Sequence, residues 1–355
     1  MNIKYQISNI KLFESKIQDP RSKNRSVHSC IHALWHRKVL STFHFLLSTL
    51  RKTAFILIAA VFLSSCSDPR VSESPRPRVE TEQAQPARIV SLAPSITEIL
   101  YELDLGESVV GVTRYCDFPP EASTKPAVGG YFDVNYEMLM SLEPDLVILL
   151  AEHEDARARI SELGIETLSV NHSRVSGILE SITIIADRCK VSEKGHLLRL
   201  SLENRIRDIT REFSPRPPVP PSPPRVLVAV GRLMDKGSGG DIFISGRDGF
   251  YDDLITLAGG VNAYRDETLK FPAVSDEGLV RLDPDLILEM VPDLTDEADR
   301  DSLLNLWRAK QEVRAVRENR VFILGEDYVV VPGPRFIDLL DEIAGIINST
   351  GIGDQ

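Results

Sequence analysis

From residue 88 onward the apolar positions alternate between two rhythms. Arg88-Ile89-Val90-Ser91-Leu92 is a short continuous run of strand length. Pro94-Ser95 then opens a helix through Leu103 that stops near Gly106. Val109–Thr113, Leu146–Leu150 and Glu166–Val170 repeat the strand signal, and a helical period over Glu154–Leu163 ends at Gly164. Strands alternating with helices predict a parallel α/β sheet. The middle of the chain changes rhythm. Val175–Arg188 and Ser192–Phe213 read as helices, with Ser192 as the N-cap of the second. In that second helix Leu198, Leu202, Ile206, Ile209 and Phe213 form one apolar face. A proline-rich stretch follows, and the α/β rhythm restarts at Arg225 and runs to Ile347.

The two α/β stretches contain a repeat. Val134–Leu149 aligns without gaps to Val274–Glu289, with Val, Glu, two Leu, Pro-Asp and a further Leu in common. Each copy predicts a capped helix, a Pro-Asp turn and a buried strand. The organisation is therefore two three-layer α/β lobes joined by one long rigid helix, with a ligand cleft between the lobes. The segments are an N-terminal lobe over 88–172, a helical linker over 173–213, a polyproline segment over 214–224, a C-terminal lobe over 225–347 and a tail over 348–355.

The residues before 88 have another character. Arg51-Lys52, about ten apolar residues and Leu63-Ser64-Ser65-Cys66 read as a lipoprotein signal peptide over 50–65 that ends in a lipid-bearing Cys66. The apolar run is too short to span a bilayer, which takes about 20 residues. Residues 66–87 form a polar, Pro-rich tether, and residues 1–49 read as an upstream extension absent from the mature protein.

Charge and composition narrow the function classes. The chain has 355 residues, 43% hydrophobic and 26% charged, with a net charge of −11. Residues 1–65 hold ten Lys/Arg against two Asp/Glu, a local +8, which leaves −19 on the other 290. So acidic a body argues against nucleic-acid binding. There is no phosphate loop and no Gly-x-Ser-x-Gly elbow, and Gly237-Ser238-Gly239-Gly240 reads as a surface loop. Past Cys66 the histidines are His153, His172 and His196, too scattered for a shared metal site. His153 follows a strand and is placed to face the cleft. Cys116 and Cys189 are far apart in pattern and read as unpaired, although an oxidising compartment would permit a bond between them. A secreted α/β hydrolase and a free zinc or manganese carrier are the rival classes; the missing elbow and the scarcity of histidine weigh against them.

Aromatics stand in segments that read as loops: Tyr115, Phe118, Tyr131, Phe132, Phe243, Phe271 and Tyr328. Aromatics on loops that rim a cleft suit a ligand surface. Arg114 and Arg232 are candidates to meet an anionic ligand. Glu137 and Glu277 fall in equivalent first helical turns, after Asn135 and Ser275 as N-caps, and suit an Arg-bearing partner with matching symmetry.

Arg88-Ile89-Val90-Ser91-Leu92-Ala93-Pro94-Ser95-Ile96-Thr97-Glu98, Val110-Gly111-Val112-Thr113, Tyr115-Cys116-Asp117-Phe118-Pro119-Pro120, Val128-Gly129-Gly130 and Leu142-x-Pro144-Asp145-Leu146-Val147-Ile148 resemble the ferric-siderophore/cobalamin class of ABC-transporter substrate-binding proteins. The resemblance covers about residues 88–347. It implies a lipid-anchored extracytoplasmic protein without enzymatic activity or resident cofactor. Its ligand would be a metal chelate: a ferric siderophore, a corrinoid or haem. Its partner would be an ABC permease-ATPase complex that meets Glu137 and Glu277, and the protein would act as a monomer. Tyr115, Tyr131, Phe243, Phe271 and the pair Asp327-Tyr328 fall at positions matching the corrin pocket of the cobalamin branch. Leu150 and Val331 depart from that branch, where an aromatic and an Arg stand, and Trp35 and Trp307 match no pocket position.

Overall fold

The computed structural model describes residues 85–213, 222–232, 241–266 and 269–349. The predicted signal peptide, Cys66, nearly all of the tether and of the polyproline segment, and the loop at 237–240 lie outside these residues.

The chain forms two lobes, each built on its own sheet. In the first, β1 (Ile89–Ser91), β2 (Val109–Gly111), β3 (Leu146–Leu150) and β4 (Thr167–Val170) pair in the order β2-β1-β3-β4, all parallel. Every residue of β1 and β3 is buried, so both faces of this sheet are covered. Val90, Val147 and Leu149 face Leu139 of α2 (Tyr136–Ser141) and Ile160 of α3 (Glu154–Glu162). α1 (Pro94–Glu102) follows β1.

The second sheet is mixed. β5 (Arg225–Arg232) lies at its centre, parallel to β9 (Leu286–Met290) and to the short β7 (Val261–Asn262), and antiparallel to β6 (Ile242–Ile244). β8 (Ala273–Val274) extends the β6 side, and β10 (Val321–Leu324) extends the β9 side. One face packs on Leu279 of α7 (Asp276–Leu282), Trp307 of α8 (Glu297–Arg308) and Ala315 of α9 (Arg314–Arg317). α6 (Phe250–Leu257) and α10 (Phe336–Ser349) also belong to this lobe.

Two helices run between the sheets, α4 (Val175–Arg188) and α5 (Ser192–Glu212). A Cβ at Gly195 would overlap that of Ala186, so glycine allows α4 and α5 to touch. Leu202 and Ile209 of the predicted apolar face are buried. The expected cap differs: Val191 is the N-cap and Ser192 is the first helical residue. Lys190 takes φ 59° just past the end of α4, and the first bond of the next helix runs from Gly195 N–H to the Val191 carbonyl, which makes Val191 the cap.

The repeat is preserved down to individual hydrogen bonds. Arg88 donates to the carbonyl of Leu142 at 2.5 Å, and its backbone N–H donates to Asp145 at 3.1 Å. Arg225 donates to the carbonyl of Leu282 at 2.6 Å, and its N–H donates to Asp285 at 2.8 Å. Between these anchors Glu143 and Asp283 both take positive φ, 45° and 36°. Each lobe thus ties its first strand, β1 or β5, to the turn that joins the capped helix to the next long strand, α2 to β3 or α7 to β9.

Candidate functional site

In parallel sheets, ligands gather at the carboxyl ends of the strands. In the first lobe these ends carry the loop 113–118 after β2, residues 151–153 after β3 and residues 171–172 after β4. Cys116 anchors the first loop: its Sγ lies 3.2 Å from the Thr97 hydroxyl and 3.1 Å from that of Thr113. Burial first of all pushes the Cys116 thiol up, so it serves as a neutral plug. Cys116 and Cys189 are both free and buried. With Cys116 turned inward, Arg114 is half exposed and pairs with Asp133 at 2.8 Å, and its guanidinium lies 5.7 Å from the Tyr115 ring.

The second part of this rim is aromatic. Tyr131 donates from its hydroxyl to Glu152 at 2.8 Å. Its ring meets Phe132 at 4.8 Å and His153 at 4.5 Å, both edge to face. His153 is buried in this cluster rather than presented to a cleft. His172 is buried too, with Nδ1 2.8 Å from the Ser95 hydroxyl, and burial pushes it down to about 3, which keeps it neutral. His196 lies apart, on α5. Among the described residues no group of three or more His, Cys, Asp or Glu is placed to hold a metal ion.

In the second lobe the strand ends carry Arg232, Asp293 and the 3-10 turn Asp327–Val330. Two expectations need correction. Phe243 is not in a loop: it occupies β6 between Gly231 and Ala273 and is buried, because an antiparallel pairing captures that short segment. Arg232 is already committed. It makes a two-pronged pair with Glu289 at 2.7 and 2.9 Å and lies over the Trp307 ring, whose Nε1 donates to the same carboxylate at 2.6 Å. Phe271 is in a loop and exposed, as expected. Burial, then the charges of Asp327 and Asp117, push Asp293 up, so carboxylates of the two rims lie within electrostatic reach of each other.

The rims meet at a residue that sequence reasoning missed. Arg335 precedes α10 and donates to Asp327 through Nη1 at 2.8 Å and to Glu98 of α1 through Nη2 at 2.7 Å. The Phe118 ring lies 3.7 Å from its guanidinium carbon and the Tyr328 ring 5.5 Å. No local signal marked the pair: Glu98 shares its helix face with Ser95 and Glu102, the pattern of an ordinary polar face. A second tie joins the linker to the C-terminal lobe: Arg174 pairs with Asp253 at 2.5 Å and with Asp248 at 3.0 Å.

Glu137 and Glu277 lie elsewhere, exposed on the first turns of α2 and α7. Asn135 and Ser275 cap these helices as expected, accepting from Met138 N at 3.1 Å and Gly278 N at 3.3 Å. A bond from its own backbone N–H and one from Ser275 hold Glu277 below the usual carboxylate range. One turn further on, Met140 and Val280 are both exposed.

Comparison with known proteins fits this architecture. The sequence profile of the family described as periplasmic binding protein matches residues 89–328. An uncharacterised ABC transporter substrate-binding lipoprotein of Bacillus subtilis is 29% identical over 312 residues, covering 82% of this chain and 94% of its own. A vitamin B12-binding protein of Vibrio cholerae is 26% identical over 261 residues, 72% of this chain and 87% of its own. A solved structure of the V. cholerae periplasmic vitamin B12 binding protein superposes with a TM-score of 0.63, at 24% identity, over 75% of this chain and 98% of its own. The apo periplasmic haem-binding protein of Roseiflexus sp. RS-1 does so with 0.61, at 27% identity, over 74% and 98%.

Proposed function

Because this chain belongs to the periplasmic binding protein family, we propose that it captures a metal chelate between its lobes and delivers it to an ABC permease. The protein is an extracytoplasmic substrate-binding component of an ABC transporter and not an enzyme. The chelate is a corrinoid, haem or a ferric siderophore; relatives named for vitamin B12 and for haem support the first two. The observation that carries the reading is the seam at which strand ends of both lobes meet, with Tyr115, Phe118 and Tyr131 on one rim and Tyr328 on the other. α5, the single long helix in the linker, is the rigid spine between lobes 88–172 and 225–347, so closure is a small adjustment. Tyr115, Tyr131, Phe271, Tyr328, Asp327 and Arg114 contact the ligand. Phe243 and Arg232 shape the wall behind them.

Glu137 and Glu277 dock on basic groups of the permease, and the acidic body steers the approach. One crossed experiment tests pocket and tips together. Affinities for cyanocobalamin, haemin and a ferric siderophore are measured in solution, and uptake is measured with the cognate permease. Tyr131→Ala with Phe271→Ala is expected to weaken the bound chelate at least tenfold, since each stacking contact contributes about 0.5–1.5 kcal/mol beyond area burial. Glu137→Gln with Glu277→Gln should leave affinity unchanged and cut uptake at least tenfold. Unchanged affinity in the first pair, or normal uptake in the second, overturns the corresponding role.

The protein acts as a monomer held to the membrane by lipid on Cys66. The motif Leu63-Ser64-Ser65-Cys66 and the lipoprotein name of the Bacillus relative support the lipid anchor. Cys66→Ser is expected to move the protein from the detergent phase to the aqueous phase on phase partition. Equal partition of both forms would remove the anchor.

A further inference from the structure

Arg335 holds three parts of the molecule at once. Through Glu98 it grips α1, 237 residues away in sequence. Through Phe118 it touches the loop that carries Arg114 and Tyr115. Through Asp327 and Tyr328 it fixes the 3-10 turn of the other lobe. We propose that Arg335 is a positioning residue that sets the spacing between the two rims, and that protonation of Glu98 controls its grip. What the rims bind rests on the reading above; the spacing itself does not.

The charges do not balance. One guanidinium serves two carboxylates. Asp327 is partly exposed, but Glu98 is only 2% exposed. Oε1 of Glu98 takes both bonds from Arg335, and Oε2 accepts none from any described residue. The backbone of Gly333 closes over it: a Cβ there would stand 2.5 Å from Oε2. With both acids ionised the trio carries one uncompensated negative charge, and the Glu98 carboxylate bears its share of it in a buried site, which is costly. Burial accordingly pushes Glu98 up to about 7 against the pull of Arg335, and the charge of Asp327 adds to the push. Three titratable neighbours are neutral, and the acids Asp117 and Glu121 act on two of them, Cys116 and Tyr101. Cys116 sits beside Thr97 with its thiol pushed up, Tyr101 on the same helix is also pushed up, and His172, bound to Ser95, is pushed down.

The direction follows from where the ionised acid would be better solvated. A wider seam admits water, and there Glu98 returns toward its ordinary 4.5. The narrow seam therefore binds the proton more tightly. It is favoured at low pH and loosens as pH rises through about 7.

Spin labels on Glu137→Cys and Glu277→Cys read the distance between the lobe tips by pulsed electron resonance. The full chain is used with Cys30→Ser and Cys66→Ser; Cys116 and Cys189 are buried and stay unlabelled. The distance distribution is expected to shift and broaden between pH 6 and 8. Glu98→Gln should hold it in the low-pH form throughout, and Arg335→Met should leave it broad at every pH. A wild-type distribution identical at pH 5.5 and 8.5, or a Glu98→Gln variant that shifts as wild type does, overturns the proposal even if Arg335→Met fails to fold. Haemin and cyanocobalamin titrations of the same preparations test the transport reading separately: binding of neither removes those two chelates and leaves the distance result standing.

Discussion

Replacing Arg335 by alanine is expected to destabilise the protein by about 3–5 kcal/mol at pH 8, the usual cost of removing one partner from a buried ion pair. Glu98 would remain in a site only 2% exposed, with its counter-charge gone. The Phe118 ring would also lose the group packed on its face. The loss should shrink toward pH 5.5, because a buried acid without a partner escapes the penalty by taking up a proton. Adding Glu98→Gln to Arg335→Ala should recover a substantial part of the loss at pH 8. Urea denaturation of the four variants in the cycle checks this. Additive effects of the two changes would show that the pair does not act as a unit.

The second large effect is a change in the shape of stability against pH. Glu98 has a folded value of about 7 against an ordinary 4.5. A carboxyl raised in this way binds its proton more tightly in the folded state. Its contribution is complete below 4.5 and is lost as pH rises toward 7, a total of about 3 kcal/mol at about 1.4 kcal/mol per unit. His172 runs the other way, from an ordinary 6.5 down to about 3. The unfolded chain takes up that proton first, so stability falls as pH drops below 6.5, by about 5 kcal/mol in all. Between pH 4.5 and 6.5 the two slopes cancel. Glu98→Gln should therefore differ from wild type by a slope of about 1.4 kcal/mol per pH unit, with the variant gaining as pH rises. His172→Gln should show the opposite tilt. Parallel stability curves for wild type and Glu98→Gln would rule out the raised carboxyl.

The elements that the sequence disclosed best are those whose signal is local or repeated. β3 and β9 read as buried strands because each is an apolar run after Pro-Asp, unbroken in β3 and interrupted in β9 by Glu289 alone, and the two copies reinforce each other. The caps at Asn135 and Ser275 depend on contacts within three residues. Phe243 was misread because a three-residue strand carries almost no period of its own; it is a strand only by pairing with residues 229–232 and 273–274. Arg232 looked available because Glu289 and Trp307 lie 57 and 75 positions further along. Arg335 and Glu98 were invisible as a pair for the same reason: nothing local in either segment records a partner across the seam.

The doubled anchor at Arg88 and Arg225 has a mechanical consequence. In each lobe one strand, β3 or β9, begins at an aspartate pinned to the anchor and ends at the rim that carries Glu152 or Asp293. Five residues at about 3.3 Å each make a strut of roughly 17 Å. The tip helix is braced to the near end of that strut, and the rim forms its far end. Sheet hydrogen bonds and burial on both faces leave the strut little room to flex. A tilt imposed at the rim therefore reappears at the tip as a change in the gap between the Glu137 and Glu277 carboxylates. If the permease docks on both glutamates as proposed, it can gauge that gap with two fixed points, much as a caliper does, without touching the cargo.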